Sequence, residues 1–277
     1  MFPFQTSLNA STLFPYKLNV LEQIAIAGEA GYEGIELWVS EIESYLAGGG
    51  TAEAIREALA RHNVAFVNAI AFFKWADENE AVREEAFVQA ERELRMLAGL
   101  GCRAAAAPPF GDVANVSLED MGRHFARLSA LGREIGIDVY VEFWGRAAQL
   151  HCVQDALEVM RASGLADAQM LLDPFHMYTG GSSVADLKGL GGSQIGIMHA
   201  NDYPASPSRE TITDAERVFP GEGIAPSKEI AEVLYASGYR GFLSLELFIA
   251  DFGTQTALET AVKGLQTLKE TYQVAGE

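Results

Sequence analysis

Short apolar runs alternate with longer stretches of helical spacing along the whole chain. The runs predict strands at residues 4–9, 34–39, 64–73, 103–107, 138–144, 169–173, 195–199 and 241–248. Between them, apolar positions recur three and four apart. They predict helices at 18–30, 51–62, 80–100, 117–135, 153–163, 226–236 and 254–272, with a short one near 184–188. The boundaries carry their own chemistry. Thr51 and Ser117 are N-cap residues, Glu119 and Asp120 suit a helix dipole, Gly31 suits a left-handed C-cap, and Pro226 suits a helix start. Strict alternation implies a parallel sheet with helical crossovers. Eight units imply an α/β fold closed as a single (β/α)8 TIM barrel, one domain over residues 1–277. The rival is an open doubly wound sheet, but no glycine-rich dinucleotide fingerprint follows the first strand.

Charge narrows the partners. The chain holds 38 acidic and 20 basic side chains, a formal net charge of -18. Such a field repels nucleic acid and anionic membrane, so neither is an expected partner, and it says little about a small neutral substrate. A homo-oligomer stays open. No run approaches the roughly 18 apolar residues of a membrane span. The N-terminus has no basic stretch ahead of an apolar one, so a signal peptide is not expected. Cys102 and Cys152 have no CxxC spacing and fit two free thiols in a reduced, cytoplasmic setting.

Four of the apolar runs end in groups that a buried strand does not carry cheaply. Glu142 ends DVYVE, Asp173 follows MLL, His199 follows IGIM, and Glu246 follows LSL. An unpaired carboxylate in such a place is costly, so each must be ion-paired, protonated or metal-bound. Singly, each has a plain explanation as a salt bridge or a satisfied core histidine. Together they come from the fifth to the eighth strand, all at the same end. Three carboxylates and one imidazole form a ligand set for one divalent ion such as Mn²⁺, Mg²⁺, Co²⁺ or Zn²⁺, with positions left for a substrate. The absence of thiolates argues against a structural zinc.

The ordered set VEFW, LLDPFH, MHAND and LSLELF resembles the xylose-isomerase-like barrel superfamily of sugar isomerases and epimerases. The loop segment TDAERVFPGEG, residues 213–223, is similar to that of inosose isomerases. The resemblance implies that Glu142, Asp173, His199 and Glu246 are the metal ligands. It also implies that Glu142 and Glu246 exchange protons with adjacent substrate carbons, and that His176 and Arg217 bind substrate oxygens. The substrate it implies is a polyhydroxylated ketone, a keto-inositol or ketose, reacting through a metal-stabilised enediolate. Related epimerases often carry a further glutamate after the fifth-strand ligand. Here that stretch reads GRAAQ, which weakens the case for a simple ketohexose epimerase.

Several residues keep two readings. Trp144, with Trp38, Phe72, Trp75 and Phe110, walls a sugar pocket or plugs the barrel top. Glu36 is a polar contact in the mouth or a salt bridge. Asp202 orients His199 or a loop backbone. Glu222 is a candidate partner for Arg217. The segment 201–224 is the longest without a clear period, and loops of that size are usually functional. Three rival functions remain: a metal-dependent dehydratase of a dehydroshikimate-like or keto-inositol ring, an endonuclease-like barrel, and a sugar-binding barrel without chemistry. The net charge and only five histidines weaken the second. Intact Glu142 and Glu246 weaken the third.

Overall fold

The computed structural model describes residues 1–275. Among them, eight strands run β1 Gln5–Asn9, β2 Gly34–Trp38, β3 Ala65–Ile70, β4 Ala104–Ala107, β5 Asp138–Glu142, β6 Gln169–Leu172, β7 Ile195–Ala200 and β8 Phe242–Leu245. Every neighbouring pair is parallel, and β1 closes on β8, giving the barrel that the alternation predicts. Around it lie α1 Val20–Ala30, α2 Val39–Ala47, α3 Ala52–His62, α4 Glu80–Gly99, α5 Leu118–Ile135, α6 Val153–Ser163, α7 Pro174–Gly180, α8 Ser227–Ala236 and α9 Ala257–Thr271.

The helix ends follow their side chains. Thr51 and Ser117 accept backbone N–H groups of α3 and α5, as expected from the sequence. Asn19 and Glu22 form a reciprocal capping box on α1, and Thr256 and Glu259 form another on α9. Two helices depart from the sequence reading. α2 begins directly where β2 ends, with no side-chain cap, so Val39 reads equally well as the end of the strand. α7 has only seven residues, PFHMYTG, and no charged group to mark a polar face. Cys102 and Cys152 are free thiols. No helix among the described residues is long and apolar enough to cross a membrane.

Side chains alternate across the barrel wall with period two. The outward set, including Val139, Val141, Leu172, Met198, Leu243 and Leu245, joins the main core beneath the helices. The inward set forms a separate cluster of Val67, Ala104, Ala106, Tyr140, Leu171, Ile197 and Phe242. Two residues further along the same strands, the inward positions become Glu142, Asp173, His199 and, two beyond Ser244, Glu246. An apolar plug thus fills the barrel up to the level at which the chain switches to ionisable groups.

Candidate active site

The switch occurs at the C-terminal ends of the strands, where barrel enzymes carry their chemistry. A cavity of about 600 Å³ opens there. Its lining includes Glu142, Trp144, His176, Arg217 and Glu246. Asp173 and His199 are more deeply buried, at 1% exposure each, and contact Arg217 and Glu246. The seven residues singled out from the sequence therefore gather at one end of the barrel.

Asp173 divides its two oxygens. Oδ1 caps α7, accepting the N–H groups of Phe175 and His176 at 2.7 and 3.2 Å, and also accepts Asn201 Nδ2 at 3.2 Å. Oδ2 faces His199 Nδ1 at 3.2 Å and accepts Arg217 Nη1 at 2.9 Å. Glu246 is held on both sides: Oε1 accepts Asn9 Nδ2 at 3.0 Å, and Oε2 accepts Arg217 Nη1 at 2.6 Å while lying 2.9 Å from His199 Nδ1. Asp173, His199 and Glu246 each present one ligand atom within 4.8 Å of the others. Glu142 lies outside that triad, and its Oε1 accepts Trp144 Nε1 at 3.0 Å.

The donor set fits a hard divalent cation. Two carboxylates and an imidazole converge, with no thiolate among them. His199 turns Nδ1 to the acids, while Nε2 lies 3.3 Å from Glu36. A second carboxylate on the remote ring nitrogen is the usual support of a metal-ligating histidine. Glu36 is fully buried in the middle of β2 and accepts Asn68 Nδ2 at 2.7 Å and Asn9 Nδ2 at 3.4 Å. Reading the sequence left Glu36 undecided and passed over Asn9 and Asn68. Only Asn68 carried a signal, as a polar residue inside the apolar strand AFVNAI; Asn9 ends the largely polar QTSLN.

Electrostatics follow from burial and crowding. Burial pushes Glu142 up to about 8; Glu246 and Asp173 add to this, and His199 opposes it. Burial also raises Glu246, against the pull of His199 and Arg217. For Asp173, burial is outweighed by Arg217 and the two histidines, which hold it well below the usual carboxylate range. His199 lies well above its ordinary value, because Glu246 and Glu36 overcome the penalty of burial. His176, buried and close to Arg217, is pushed down to about 4.

Arg217 comes from the long loop, yet it is 1% exposed. Its guanidinium lies 4.6 Å over the Phe175 ring, and Nη2 donates to Asp214 Oδ1 at 2.5 Å. Nε is buried without a protein partner among the described residues. Glu222 does not pair with it; Glu222 lies 2.7 Å from Lys263 Nζ on α9. Asp202 resolves in favour of the loop backbone. Its carboxylate accepts the N–H groups of Tyr203, Gly221, Gly223 and Ala225. A Cβ on Gly223 would lie 2.2 Å from the Tyr203 carbonyl oxygen, so that close approach needs glycine.

A model of the xylose isomerase-like TIM barrel family matches residues 24–271. The chain belongs to this family. Among its family relatives is the inosose isomerase of Bacillus velezensis, 25% identical over 261 residues, which span 91% of this chain and 90% of that protein. The 3-dehydroshikimate dehydratase of Pseudomonas aeruginosa is 26% identical over 258 residues, 89% of this chain and 39% of that longer protein. The crystal structure of the IOLI protein with a bound zinc atom superposes with a TM-score of 0.88 at 22% identity, covering 97% of this chain and 98% of that one. Family membership agrees with the resemblance carried by the VEFW, LLDPFH, MHAND and LSLELF runs.

Proposed function

We propose that the protein is a divalent-metal-dependent isomerase or epimerase of a polyhydroxylated ketone, of the keto-inositol or ketose class. The observation that carries this reading is the pair of buried glutamates, Glu142 on β5 and Glu246 after β8, on one cavity beside the Asp173–His199–Glu246 donor triad. Asp173, His199 and Glu246 would hold the ion, with Glu142 as the fourth ligand. The ion's contribution would be Lewis-acid stabilisation of the negative charge that develops when a C–H bond beside a carbonyl breaks.

The chain's own groups supply the rest. Glu246 takes the proton from carbon, and Arg217 and His199 favour its charged form. The electron pair of the broken C–H bond passes into the enediolate. Glu142, whose hold on a proton burial strengthens, exchanges a proton at the neighbouring carbon or the opposite face. Arg217 Nε is a buried N–H left over for a substrate oxygen, and its guanidinium adds positive charge where the oxyanion develops. His176, neutral at physiological pH, serves as an uncharged hydrogen-bond partner beside it.

Proton–deuterium exchange across keto-inositols and ketoses, with Mn²⁺ supplied, tests the reading. Exchange at the carbon beside the carbonyl is expected, and its loss in Glu246→Gln. Full exchange in that variant would refute the assignment. A dehydratase is the second reading, supported by the 3-dehydroshikimate dehydratase among the relatives. It begins with the same deprotonation and then expels water, which would appear as new ultraviolet absorbance rather than as a labelled isomer.

A further inference from the structure

The cavity is larger and more lopsided than a single sugar ring requires. At ~30 Å³ per water in the liquid, its volume of about 600 Å³ is that of roughly 20 waters. A ketose or keto-inositol has about a dozen non-hydrogen atoms, and these pack more tightly than waters. The groups able to hold sugar hydroxyls crowd one side. Glu142, His176, Thr179, Asp214, Arg217 and Glu246 come from the ends of β5 and β8, from α7 and from the long loop.

The other side is apolar. The ends of β2, β3 and β4 give it Trp38, Ile70, Phe72, Pro109 and Val113. Phe72 is the hub of this wall, with ring centroids 5.4 Å from Trp38, 5.4 Å from Phe110 and 6.1 Å from Trp144. Trp38, Phe72 and Trp144 are only half-buried, so part of each ring remains for a ligand to cover. Beyond them the mouth is bordered by Gly111, Ala114, Ala147 and Ala148, all small and uncharged.

Nearby positive charge is already committed. Arg217 is paired with Asp173, Glu246 and Asp214. Arg146 donates to the backbone carbonyls of Arg209, Glu210 and Ile212. Asp112 adds an acid to the rim. Lys74, beside Gly111, holds its Nζ 5.9 Å over the Phe110 ring, so its charge already has an aromatic partner. A phosphate or carboxylate on the far part of a ligand would meet Asp112.

Building on the proposed activity, we infer that the substrate is an uncharged, two-ring compound: a ketone-bearing sugar ring joined to a second neutral ring. The ketone ring sits among the carboxylates, and the second ring lies against Phe72 and Trp144. An apolar face there replaces water on the half-buried rings, which favours binding through the hydrophobic effect and through ring stacking.

The test compares deuterium exchange on a keto-inositol and on the methyl and phenyl glycosides of one keto-sugar, using the full chain with Mn²⁺. The expected result is that kcat/KM for the phenyl glycoside exceeds that for the methyl glycoside by about tenfold, the factor given by ~1.4 kcal/mol. In Phe72→Ala that ratio should fall toward one. Phe72→Leu, the milder replacement should the first not fold, should retain only part of it. Equal values for the two glycosides, or exchange confined to the keto-inositol, would overturn the second ring and leave the proposed activity standing. No exchange with any of the three would overturn the proposed activity, and this inference with it.

Discussion

Replacing Asp202 by asparagine changes one atom's chemistry at the point that ties down the active-site loop. The native carboxylate is 1% exposed. Oδ1 accepts Tyr203 N at 2.7 Å and Ala225 N at 2.8 Å, and Oδ2 accepts Gly221 N and Gly223 N, both at 3.0 Å. An asparagine can present its oxygen to only one of these pairs. Its NH₂ must then face two backbone N–H donors, so two bonds to a charged acceptor are lost. At ~1.5–3 kcal/mol each, the gross loss is about 3–6 kcal/mol. Local opening of the loop limits how much of this reaches the global transition. The same segment pairs with Asp202 through Val218, whose N–H and carbonyl both bond the Asp202 backbone, and it delivers Arg217 one residue earlier. Asp202→Asn is therefore expected to lower the urea midpoint, to expose the Gly221 and Gly223 amides to hydrogen exchange, and to reduce catalytic proton exchange at least about tenfold. Glu222→Gln on the same loop is the control. It loses only a half-exposed pair with Lys263 and should cost under about 1 kcal/mol. If Asp202→Asn kept both the midpoint and the amide protection of the native chain, the account of Asp202 as the loop's fastening would be wrong.

Adding Mn²⁺ or Zn²⁺ should raise the melting temperature in a concentration-dependent way, and Asp173→Asn or His199→Ala should remove the rise; a metal response that survives in both variants would rule out the triad as the site. Glu36→Ala should weaken metal binding by about 10–100-fold, read by calorimetry, because His199 Nε2 loses the carboxylate that orients the ring; unchanged affinity would mean that the ring is positioned by packing alone. His176 contributes a pH dependence of known sign. Its folded value of about 4 lies below the ~6.5 of an unfolded histidine, so above that pH both states are neutral and its contribution is fully present. As pH falls from about 6.5 toward 4 the unfolded state takes up the proton first, and stability drops by up to ~1.4 kcal/mol per unit. Comparing unfolding free energies of the native chain and His176→Gln between about pH 5 and 6.5 isolates this slope; parallel curves would contradict it.

The fold was legible because its signal is repeated and local. Each apolar run that ends at a glycine, a proline or a capping residue is a strand or helix in its own right, and eight of them leave few topologies. What the sequence hid is the short helix α7. Its cap is Asp173, a residue that stands out as a metal ligand, and one carboxylate performs both tasks through different oxygens. Periodicity reads a side chain once and assigns it one role. α2 was hidden for the opposite reason: no capping side chain separates it from β2, so the apolar residue at 39 extends the strand pattern smoothly.

The first half of the chain contributes to the site indirectly. β1, β2 and β3 carry Asn9, Glu36 and Asn68, whose partners are one another, Glu246 and His199. Amides suit this place. The site already holds four acids, Glu36, Glu142, Asp173 and Glu246, against Arg217 and His199. A fifth acid at Asn9 would add repulsion, and a lysine there would neutralise Glu246 and compete for the oxygens that the triad shares. A neutral donor fixes the carboxylates without changing the charge available to a cation. The supporting positions therefore have to be polar and uncharged, and in a sequence such residues look like strand filler. The ionisable residues of β5–β8 advertise the chemistry, while the rigidity it needs comes from residues whose value appears only when the barrel closes β1 onto β8.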